Sequence, residues 1–265
     1  MAINVHFVTG SKGNVGKTAW SEAMVAYYEK QGKKLVLIDG DKDVPALSKT
    51  CSTEQIAFSD DPGLSTQPDA ILKLAYAESK LDGGADILVD LPAGGESSLN
   101  NWIDASSLNR LGKTYGFNLI KWWLSDSDRD SIQLFRESAE KYPKIRHIFI
   151  KNMGKSRQEQ WDDFDKDTEL AKLVKKNKGA IISIPYVEPV IIDFLRANSI
   201  QLTDVIKDKE FHITDIAANF RVDTWVEITK DLISSVMQCD TKEGGAKTQI
   251  RKEESSNYQE AVATK

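Results

Sequence analysis

Short apolar segments alternate with amphipathic segments along most of the chain. The apolar segments are nearly continuous, which is typical of strands that are covered on both faces of a parallel sheet. The amphipathic segments place apolar residues at three-to-four spacing, which predicts helices. This alternation predicts the α/β fold class, with a doubly wound, mostly parallel sheet flanked by helices. The predicted strands are 3–9, 34–39, 86–91, 118–124, 145–151 and 180–185.

Three helices have recognisable ends. The helix over 18–32 ends at Gly32, a residue that suits the position after a helix C-terminus. The helix over 127–143 is expected to begin on a serine cap, Ser127, and to stop before Pro143. The last helix covers 214–238. The remaining residues are polar and charged, so we predict one domain, 1–238, and a disordered tail, 239–265.

Composition narrows the function classes. With 40 acidic and 35 basic residues, the chain lacks an overall basic charge for nucleic acid, so any DNA contact needs a local patch. Its two cysteines are far apart and indicate neither a disulfide framework nor a zinc site. No apolar run approaches the roughly 18 residues of a membrane span. The N-terminus lacks the pattern of a signal peptide, and we therefore expect a cytoplasmic protein.

The segment FVTGSKGNVGKTAW, residues 7–20, lies between a predicted strand and a predicted helix, the context of a phosphate-binding loop. Its backbone N–H groups and the helix N-terminus would bind phosphate oxygens. Lys17 would bridge the β- and γ-phosphates, and the Thr18 hydroxyl would bind Mg²⁺. Asn14 stands where glycine is commonest, but asparagine tolerates positive φ. The predicted nucleotide contacts are Lys12, Gly13, Asn14, Val15, Gly16, Lys17 and Thr18.

The loop departs from the general fingerprint, because Ser11 replaces the first glycine and Lys12 precedes Gly13. The sequence KGNVGKT resembles the deviant Walker A motif of the ParA and MinD family of dimeric P-loop ATPases. In that family the early lysine reaches across a dimer to the phosphates bound by the partner subunit. The resemblance implies that Lys12 is catalytic and acts much as an arginine finger does. It also implies ATP as the nucleotide and a homodimer in the ATP-bound state.

Carboxylates follow two of the predicted strands. Asp39 and Asp41 end the segment LVLIDGD, where residues two apart point to the same face, and Asp90 ends DILVD. The family resemblance extends to both segments. It implies that Asp39 holds Mg²⁺ through water, that Asp41 positions the attacking water, and that Asp90 lies next to the ion. The expected metal-binding residues are therefore Thr18, Asp39 and Asp90.

The side of the site that would hold the base has weaker signals. The resemblance implies base contacts for Asn152, at the end of a late strand, and for Pro185 and Tyr186. Ordinary turn and packing roles are the alternative for these residues. Lys151 is either a phosphate contact, because it resembles a lysine used by some carboxysome-positioning relatives, or an exposed lysine. The guanine-specific N/T-K-x-D order is absent, which favours ATP.

The resemblance implies a slow ATPase that positions or partitions a plasmid, a chromosome or a microcompartment. A small adaptor or ParB-like protein would stimulate it. Non-specific duplex DNA is a candidate partner, which would make the protein nucleoid-associated, and no membrane partner is expected because a basic amphipathic tail is missing. DNA phosphates would contact a local basic segment that contains Lys172, Lys175, Lys176 and Lys178. A solvated helical face is the alternative explanation of this segment.

Two other functions share the phosphate loop. One is a ligase or synthase of the dethiobiotin synthetase type, against which Lys12 and the DGD segment argue. The other is an ATP-binding accessory protein of plasmid stability or conjugation that hydrolyses little. A nitrogenase-type iron protein would need cysteines after the Asp90 segment, and none lies between Cys51 and Cys239.

Overall fold

The computed structural model describes residues 2–207, 210–211 and 215–238. Strands and helices alternate through most of this part. The strands are β1 (Ile3–Thr9), β2 (Leu35–Asp39), β3 (Glu54–Gln55), β4 (Asp86–Asp90), β5 (Phe117–Ser125), β6 (Arg146–Asn152), β7 (Ala180–Ile184), β8 (Ile206–Lys207) and β9 (Glu210–Phe211). The helices are α1 (Lys17–Lys30), α2 (Asp69–Ser79), α3 (Glu96–Ala105), α4 (Leu108–Leu111), α5 (Arg129–Lys141), α6 (Asp162–Asp165), α7 (Thr168–Lys176), α8 (Pro189–Ala197) and α9 (Ile216–Gln238). Short 3-10 turns occupy Leu47–Lys49, Gly112–Tyr115, Gln158–Trp161 and Leu202–Asp204.

Seven strands form one sheet in the order β3-β2-β4-β1-β5-β6-β7. Every neighbouring pair is parallel, which confirms the predicted fold class. The register brings the strand ends together, since Asp90 lies opposite Val8 of β1 and opposite Asp39 of β2. Ligands of open α/β sheets bind at this carboxyl edge. The remaining strands, β8 and β9, form a separate antiparallel pair.

The two faces of the sheet are covered by different helices. On β1, Val8 packs into the core formed with α1, α8 and α9, while Phe7 packs into the core formed with α2 and α3. Adjacent strand residues point to opposite faces, so a strand buried on both sides must be apolar throughout. A third cluster lies around β5, β6, α5 and α7. The largest fully buried side chains include Trp20, Trp122, Trp123 and Trp161.

The predicted strands are confirmed to within two residues at each end, but one predicted helix cap is wrong. Helix α5 is capped by Asp128, whose carboxylate accepts from the backbone N–H of Asp130 at 2.8 Å. Ser127 has φ +65° and uses its hydroxyl to donate to Ser156. Helices α2, α3 and α8 and the short strand β3 were not predicted.

The C-terminal predictions are tested only in part. Helix α9 is described from Ile216 to Gln238, whereas the proposed tail, 239–265, lies outside the described residues. None of the helices in the described part of the chain is long and apolar enough to cross a bilayer.

Candidate functional site

A cleft of about 430 Å³ opens at the carboxyl edge of the sheet. It has two differently built parts. The loop half is lined by the phosphate loop and the start of α1, residues 13 and 14 and 16–19, together with Asp39, Asp41 and Asp90. The α8 half is lined by Asn152, Pro185, Val187, Trp225 and the residues Pro189, Ile192, Asp193 and Arg196 at or near α8.

The loop between β1 and α1 has the backbone of a phosphate-binding loop. Asn14 has φ +58°, as expected for an asparagine in a glycine position, and Gly16 has φ +101°. A Cβ atom on Gly10 would lie 2.6 Å from the carbonyl oxygen of Leu124, so the loop starts where only glycine fits. Helix α1 then begins without a side-chain cap or an acidic residue in its first turn. Its positive end is therefore available to an anion.

Lys17 is buried and bends back over the loop, where its Nζ donates to the carbonyl oxygen of Lys12 at 2.9 Å. Burial lowers the pKa of Lys17, and the charges of Asp90 and Asp41 oppose that change. An ammonium group held by one backbone carbonyl, next to an uncapped helix end, can exchange this bond for phosphate oxygens. The geometry agrees with the role predicted for Lys17.

Asp90 is a buried carboxylate of the loop half. Burial raises its pKa to about 7, as does the charge of Asp39 to a smaller extent, while Thr18 and Lys17 lower it. Within the described part of the chain, its Oδ1 atom is buried and has no hydrogen-bond partner. An unpaired buried carboxylate oxygen is costly, and a cation with its bound water would satisfy it.

Asp39 and Asp41 are held by the backbone that follows β2. Asp39 is buried, and its two oxygens accept from the N–H groups of Asp41 and Ser48, both at 3.1 Å. Burial raises the pKa of Asp39. Asp41 is half-exposed and accepts from the N–H groups of Asp43 and Val44, at 3.1 and 2.9 Å. These bonds fix both carboxylates at the cleft, and the roles expected of them stay predictions.

The chemistry of these groups fits a magnesium ion that is bound mainly by phosphate and water. Thr18, Asp39 and Asp90 all line the loop half. The described residues contain no group of three or more His, Cys, Asp or Glu side chains that could hold a metal by themselves. Mg²⁺ commonly uses one or two protein oxygens and completes its shell with water and substrate phosphates. The residues present are therefore compatible with a metal that arrives with a nucleotide.

Lys12 pairs with a residue outside the phosphate loop and does not line the cleft as described. Its Nζ pairs with Oδ2 of Asp128, the residue that caps α5, and the lysine side chain stays 46% exposed. The hydrogen bond between the two side chains raises the pKa of Lys12, and the same bond lowers the pKa of Asp128. Lys12 is thus a charged, accessible group at the rim of the cleft.

Asn152 joins the two halves of the cleft. Its Nδ2 donates to the carbonyl oxygen of Val15 at 2.8 Å, and its Oδ1 accepts from the N–H of Gly154 at 2.9 Å. The Asn152 side-chain amide therefore connects the phosphate loop to β6 through hydrogen bonds. Pro185 lines the cleft, and its carbonyl oxygen accepts from the indole N–H of Trp225 at 3.0 Å. Base contacts by these residues stay predictions.

Tyr186 and Lys151 lie apart from the centre of the cleft. Tyr186 is exposed and packs against Gly154. Lys151 is buried, so the expectation of an exposed lysine is wrong. Its Nζ contacts both oxygens of Asp165, at 2.8 and 3.0 Å, and lies over the ring of Trp161. The segment that follows β6 therefore supplies the partner of Lys151. Lys151 is not among the residues that line the cleft.

Several residues near the site were not identified as site residues by the sequence analysis. Arg196 and Trp225 come from α8 and α9, far along the chain from the loop. Glu22 of α1 is buried, which raises its pKa, and its Oε1 lies 3.9 Å from Nε of Arg196. A single apolar or charged residue on a helix carries no signal that distinguishes a cleft from a core or a surface. Only the fold brings them together.

The parallel sheet, the glycine-containing loop and the carboxylates at its edge define a P-loop nucleotide-binding protein. Sequence comparison gives the family. The CbiA profile, which describes the CobQ/CobB/MinD/ParA nucleotide-binding domain, matches residues 6–218. The chain belongs to this family, and the expected relation to ParA and MinD is confirmed.

Individual relatives are distant. Protein MobD of Acidithiobacillus ferrooxidans is 23% identical over 219 residues, which cover 78% of this chain and 88% of MobD. The MinC:MinD cell division protein complex of Aquifex aeolicus is 16% identical, with a TM-score of 0.49 and coverage of 93% of this chain and 98% of that chain. A nucleotide-binding protein of Archaeoglobus fulgidus in complex with ADP is 19% identical, with a TM-score of 0.45 and coverage of 76% and 88%. The family assignment depends on the profile match alone.

Proposed function

We propose that this protein is an ATPase that dimerises when it binds ATP and that positions or partitions a cargo such as a plasmid, a chromosome or a microcompartment. The observation that carries the proposal is the loop half of the cleft. There the left-handed backbone at Asn14 and Gly16 precedes an uncapped helix end, and the unpartnered oxygen of Asp90 lies nearby. These features suit a phosphate chain and its cation.

In the nucleotide complex, Lys17 would bind the β- and γ-phosphates in place of the Lys12 carbonyl. The backbone N–H groups of residues 12–17 would bind the β-phosphate oxygens. Thr18, Asp39 and Asp90 would hold Mg²⁺, directly or through water, and the ion would neutralise phosphate charge as it develops. The apolar residues of the α8 half would pack against the adenine ring.

For hydrolysis, Asp41 would orient the attacking water. Its carboxylate is fixed at the cleft by the two backbone N–H groups and can accept a hydrogen bond from a water beside the γ-phosphate. Lys12 would act in the site of the partner subunit, because its side chain is partly exposed and is held by Asp128 of another element. Its ammonium would stabilise negative charge in the transition state. Turnover would then require the dimer.

The first test of this function is nucleotide binding. We expect Lys17→Ala to lose at least about a hundredfold in ATP affinity, since a charge-assisted contact to phosphate is removed from a partly dry site. Lys12→Ala is the matched control and should bind ATP as the wild type does in the monomer. Isothermal titration with Mg²⁺ and ATP measures both. Equal affinity of Lys17→Ala and wild type would remove the phosphate loop from the proposal.

DNA binding by the ATP-bound dimer is the second element of the proposal. Lys175 and Lys176 are exposed at the end of α7, and Lys172 pairs with Glu169. A dimer would present two such patches, and linked patches bind phosphates together. We expect non-specific binding to duplex DNA that falls steeply with salt. Nucleoid association would follow from it, and a small adaptor or ParB-like protein would stimulate turnover.

The double variant Lys175→Glu, Lys176→Glu tests this element. It should lose DNA binding and keep nucleotide binding, because α7 lies apart from the cleft. A gel-shift series at low and moderate salt with an Asp41→Ala dimer measures DNA affinity, and Lys172→Glu serves as the control for an already paired lysine. Absence of any shift with the Asp41→Ala dimer would contradict DNA binding and leave a protein partner as the cargo contact.

A further inference from the structure

A buried ion pair joins strand β5 to helix α3, near the loop half. Lys121 of β5 is completely buried, and its Nζ lies 2.6 Å from Oε1 of Glu96, the first residue of α3. Polar side chains from three further elements surround this pair. We call this group the Lys121 cluster: Thr9 of β1, Glu96 and Asn100 of α3, Lys121 of β5, Ser138 of α5 and His147 of β6.

The hydrogen bonds of the Lys121 cluster are saturated at its centre. The ammonium group has three N–H donors. They are matched by Glu96 Oε1 at 2.6 Å, Asn100 Oδ1 at 2.7 Å and Ser138 Oγ at 3.0 Å. The second oxygen of Glu96 accepts from the Thr9 hydroxyl at 2.9 Å. Three acceptors around one nitrogen are the environment of a protonated lysine.

The histidine extends the cluster as a neutral group. Burial lowers the pKa of His147 to about 3, and the charge of Lys121 contributes. Its Nδ1 lies 2.8 Å from the carbonyl oxygen of Ile145, so this nitrogen carries the proton. The Ser138 hydroxyl lies 3.1 Å from Nε2 of His147 and 3.0 Å from Oε1 of Glu96, so its single proton has two acceptors. Ser138 therefore links His147 to the Glu96–Lys121 pair.

The cluster connects two segments that border the loop half. Thr9 is the residue before Gly10, at the start of the phosphate loop. Glu96 follows the segment 91–95, whose first N–H, that of Leu91, donates to the carbonyl oxygen of Val8 at 3.1 Å. Between these two contacts, Ala93 approaches the phosphate loop. Its Cβ lies 3.7 Å from the point where a Cβ atom on Gly13 would be. Leu91 and Ala93 line the cleft, while the six members of the cluster do not.

We infer that the Glu96–Lys121 pair is a positioning pair that holds segment 91–95 against the phosphate loop, in the place where it meets the terminal phosphate of a bound nucleotide. The inference rests on the proposed function. Glu96 fixes the end of the segment, Thr9 ties that end to the strand that leads into the loop, and the Lys121 ammonium group holds Glu96 in place. The pair acts on the reaction through the segment and does not touch the nucleotide.

Stability alone is a weak reason for such a pair. Apolar residues of similar volume in place of a buried ion pair often leave a protein equally stable, or make it more stable. A fully bonded polar cluster does, however, restrict the surrounding elements to one arrangement. Reaction geometry is sensitive to small displacements of the groups around the phosphates. A pair that fixes the segment would thus affect turnover more than folding or nucleotide affinity.

The test uses the full-length protein with both charges removed together, as Glu96→Gln with Lys121→Met. A single change would leave one buried charge without its partner and destabilise the fold. Lys141→Met is the matched control, because Lys141 pairs with Asp104 at the surface and makes no contact with Glu96. Three quantities are measured: the melting temperature, the Kd for ATPγS with Mg²⁺, and kcat for ATP. Hydrogen exchange of residues 91–96, with and without Mg²⁺ and ATPγS, supplies a readout that does not depend on turnover.

We expect the double variant to melt near the wild type, to bind ATPγS within about threefold of it, and to lose at least about tenfold in kcat. Nucleotide should protect residues 91–96 in the wild type and in Lys141→Met, and much less in the double variant. Wild-type kcat and protection in the double variant would overturn the inference and leave the proposed function standing. Absence of nucleotide-dependent protection in a wild type that binds ATPγS would overturn the inference, and absence of ATPγS binding by the wild type would overturn both. If the double variant does not fold, Thr9→Val, which cuts only the link to β1, decides by the same measurements.

Discussion

The loop half and the α8 half of the cleft use their polar groups differently. In the loop half, the buried Oδ1 of Asp90 lacks a partner among the described residues, and Lys17 is held by a single backbone carbonyl. In the α8 half, two polar side chains are bonded within the protein, while the buried Nε of Arg196 has no hydrogen-bond partner among the described residues. Asn152 bonds to Val15 and Gly154, and the Trp225 indole donates to Pro185. Lys17 and Asp90 of the loop half can therefore exchange or add bonds when a ligand arrives, whereas Asn152 and Trp225 of the α8 half are bonded within the protein.

This difference between the halves indicates which of them contributes more to nucleotide affinity and to the reaction. Groups that are charged, buried and incompletely bonded gain most when a complementary charge arrives. Groups whose bonds are satisfied contribute shape and apolar surface, which bind a flat ring without large changes in affinity. Substitutions in the loop half should therefore cost much more than those in the α8 half. The predictions below test this contrast in order of decreasing effect.

The largest effect on turnover is expected from Asp41→Ala. The carboxylate that we propose orients the attacking water is removed, so kcat should fall by roughly a hundredfold or more, while ATP affinity stays within a few-fold. Steady-state phosphate release and an ATP titration measure the two quantities. The ATP-bound dimer should also persist longer on a sizing column. Turnover at the wild-type rate would show that Asp41 does not position the water.

Asn152→Ala should have an intermediate effect, because Asn152 belongs to both halves. Its loss leaves the buried carbonyl of Val15 without this donor, which costs about 1–3 kcal/mol of unfolding free energy. The freed phosphate loop should also bind ATP roughly tenfold more weakly, since about 1.4 kcal/mol corresponds to a factor of ten. Denaturant unfolding and isothermal titration separate these terms. A stability loss with unchanged ATP affinity would mean that Asn152 holds the fold and not the nucleotide loop.

The same contrast explains what could be predicted from the sequence. The loop half is built from short continuous segments, so the spacing around Lys17 and the strand ends at Asp39 and Asp90 carry a sequence signal for it; these residues line one cleft, and their roles stay predictions. The α8 half combines residues more than a hundred positions from the loop, such as Trp225, whose packing has no local signature. Lys121 was missed for the same reason: a lysine inside an apolar strand shows its partner only when β5 lies beside α3. Ser127 failed as a cap because its backbone adopts positive φ.

Trp225→Phe should have a small effect on the site. It removes the N–H donor to Pro185 and keeps an aromatic ring, so we expect about 1 kcal/mol less unfolding free energy. ATP affinity should change by no more than about threefold, because the α8 half contributes mostly shape. Trp122→Phe is the matched control: its indole N–H donates to His6 at 3.0 Å, away from the cleft. A tenfold loss of ATP affinity in Trp225→Phe alone would contradict the contrast between the halves.

Asp128→Asn should have the smallest effect. Asparagine keeps the cap of α5 but removes the charge that holds Lys12. Because Lys12 loses a competing partner, the ATP-bound dimer should form at a protein concentration about two- to threefold lower, in line with the modest strength of exposed ion pairs. Sedimentation with ATPγS measures this shift, and Asp130→Asn, which lies on the same turn, is the control. A weaker dimer in Asp128→Asn would show that the pair supports assembly.

The central claim is that each active site combines the loop of one subunit with Lys12 of the other. Mixing Lys12→Ala protein with Asp41→Ala protein tests it most directly, since both variants should bind ATP and neither should hydrolyse it alone. In a mixed dimer, the site on the Lys12→Ala subunit has its own Asp41 and receives Lys12 from its partner. An equal mixture should therefore recover roughly a quarter of wild-type turnover, because about half of the dimers are mixed and each has one complete site. A mixture as inactive as its two components would contradict the claim.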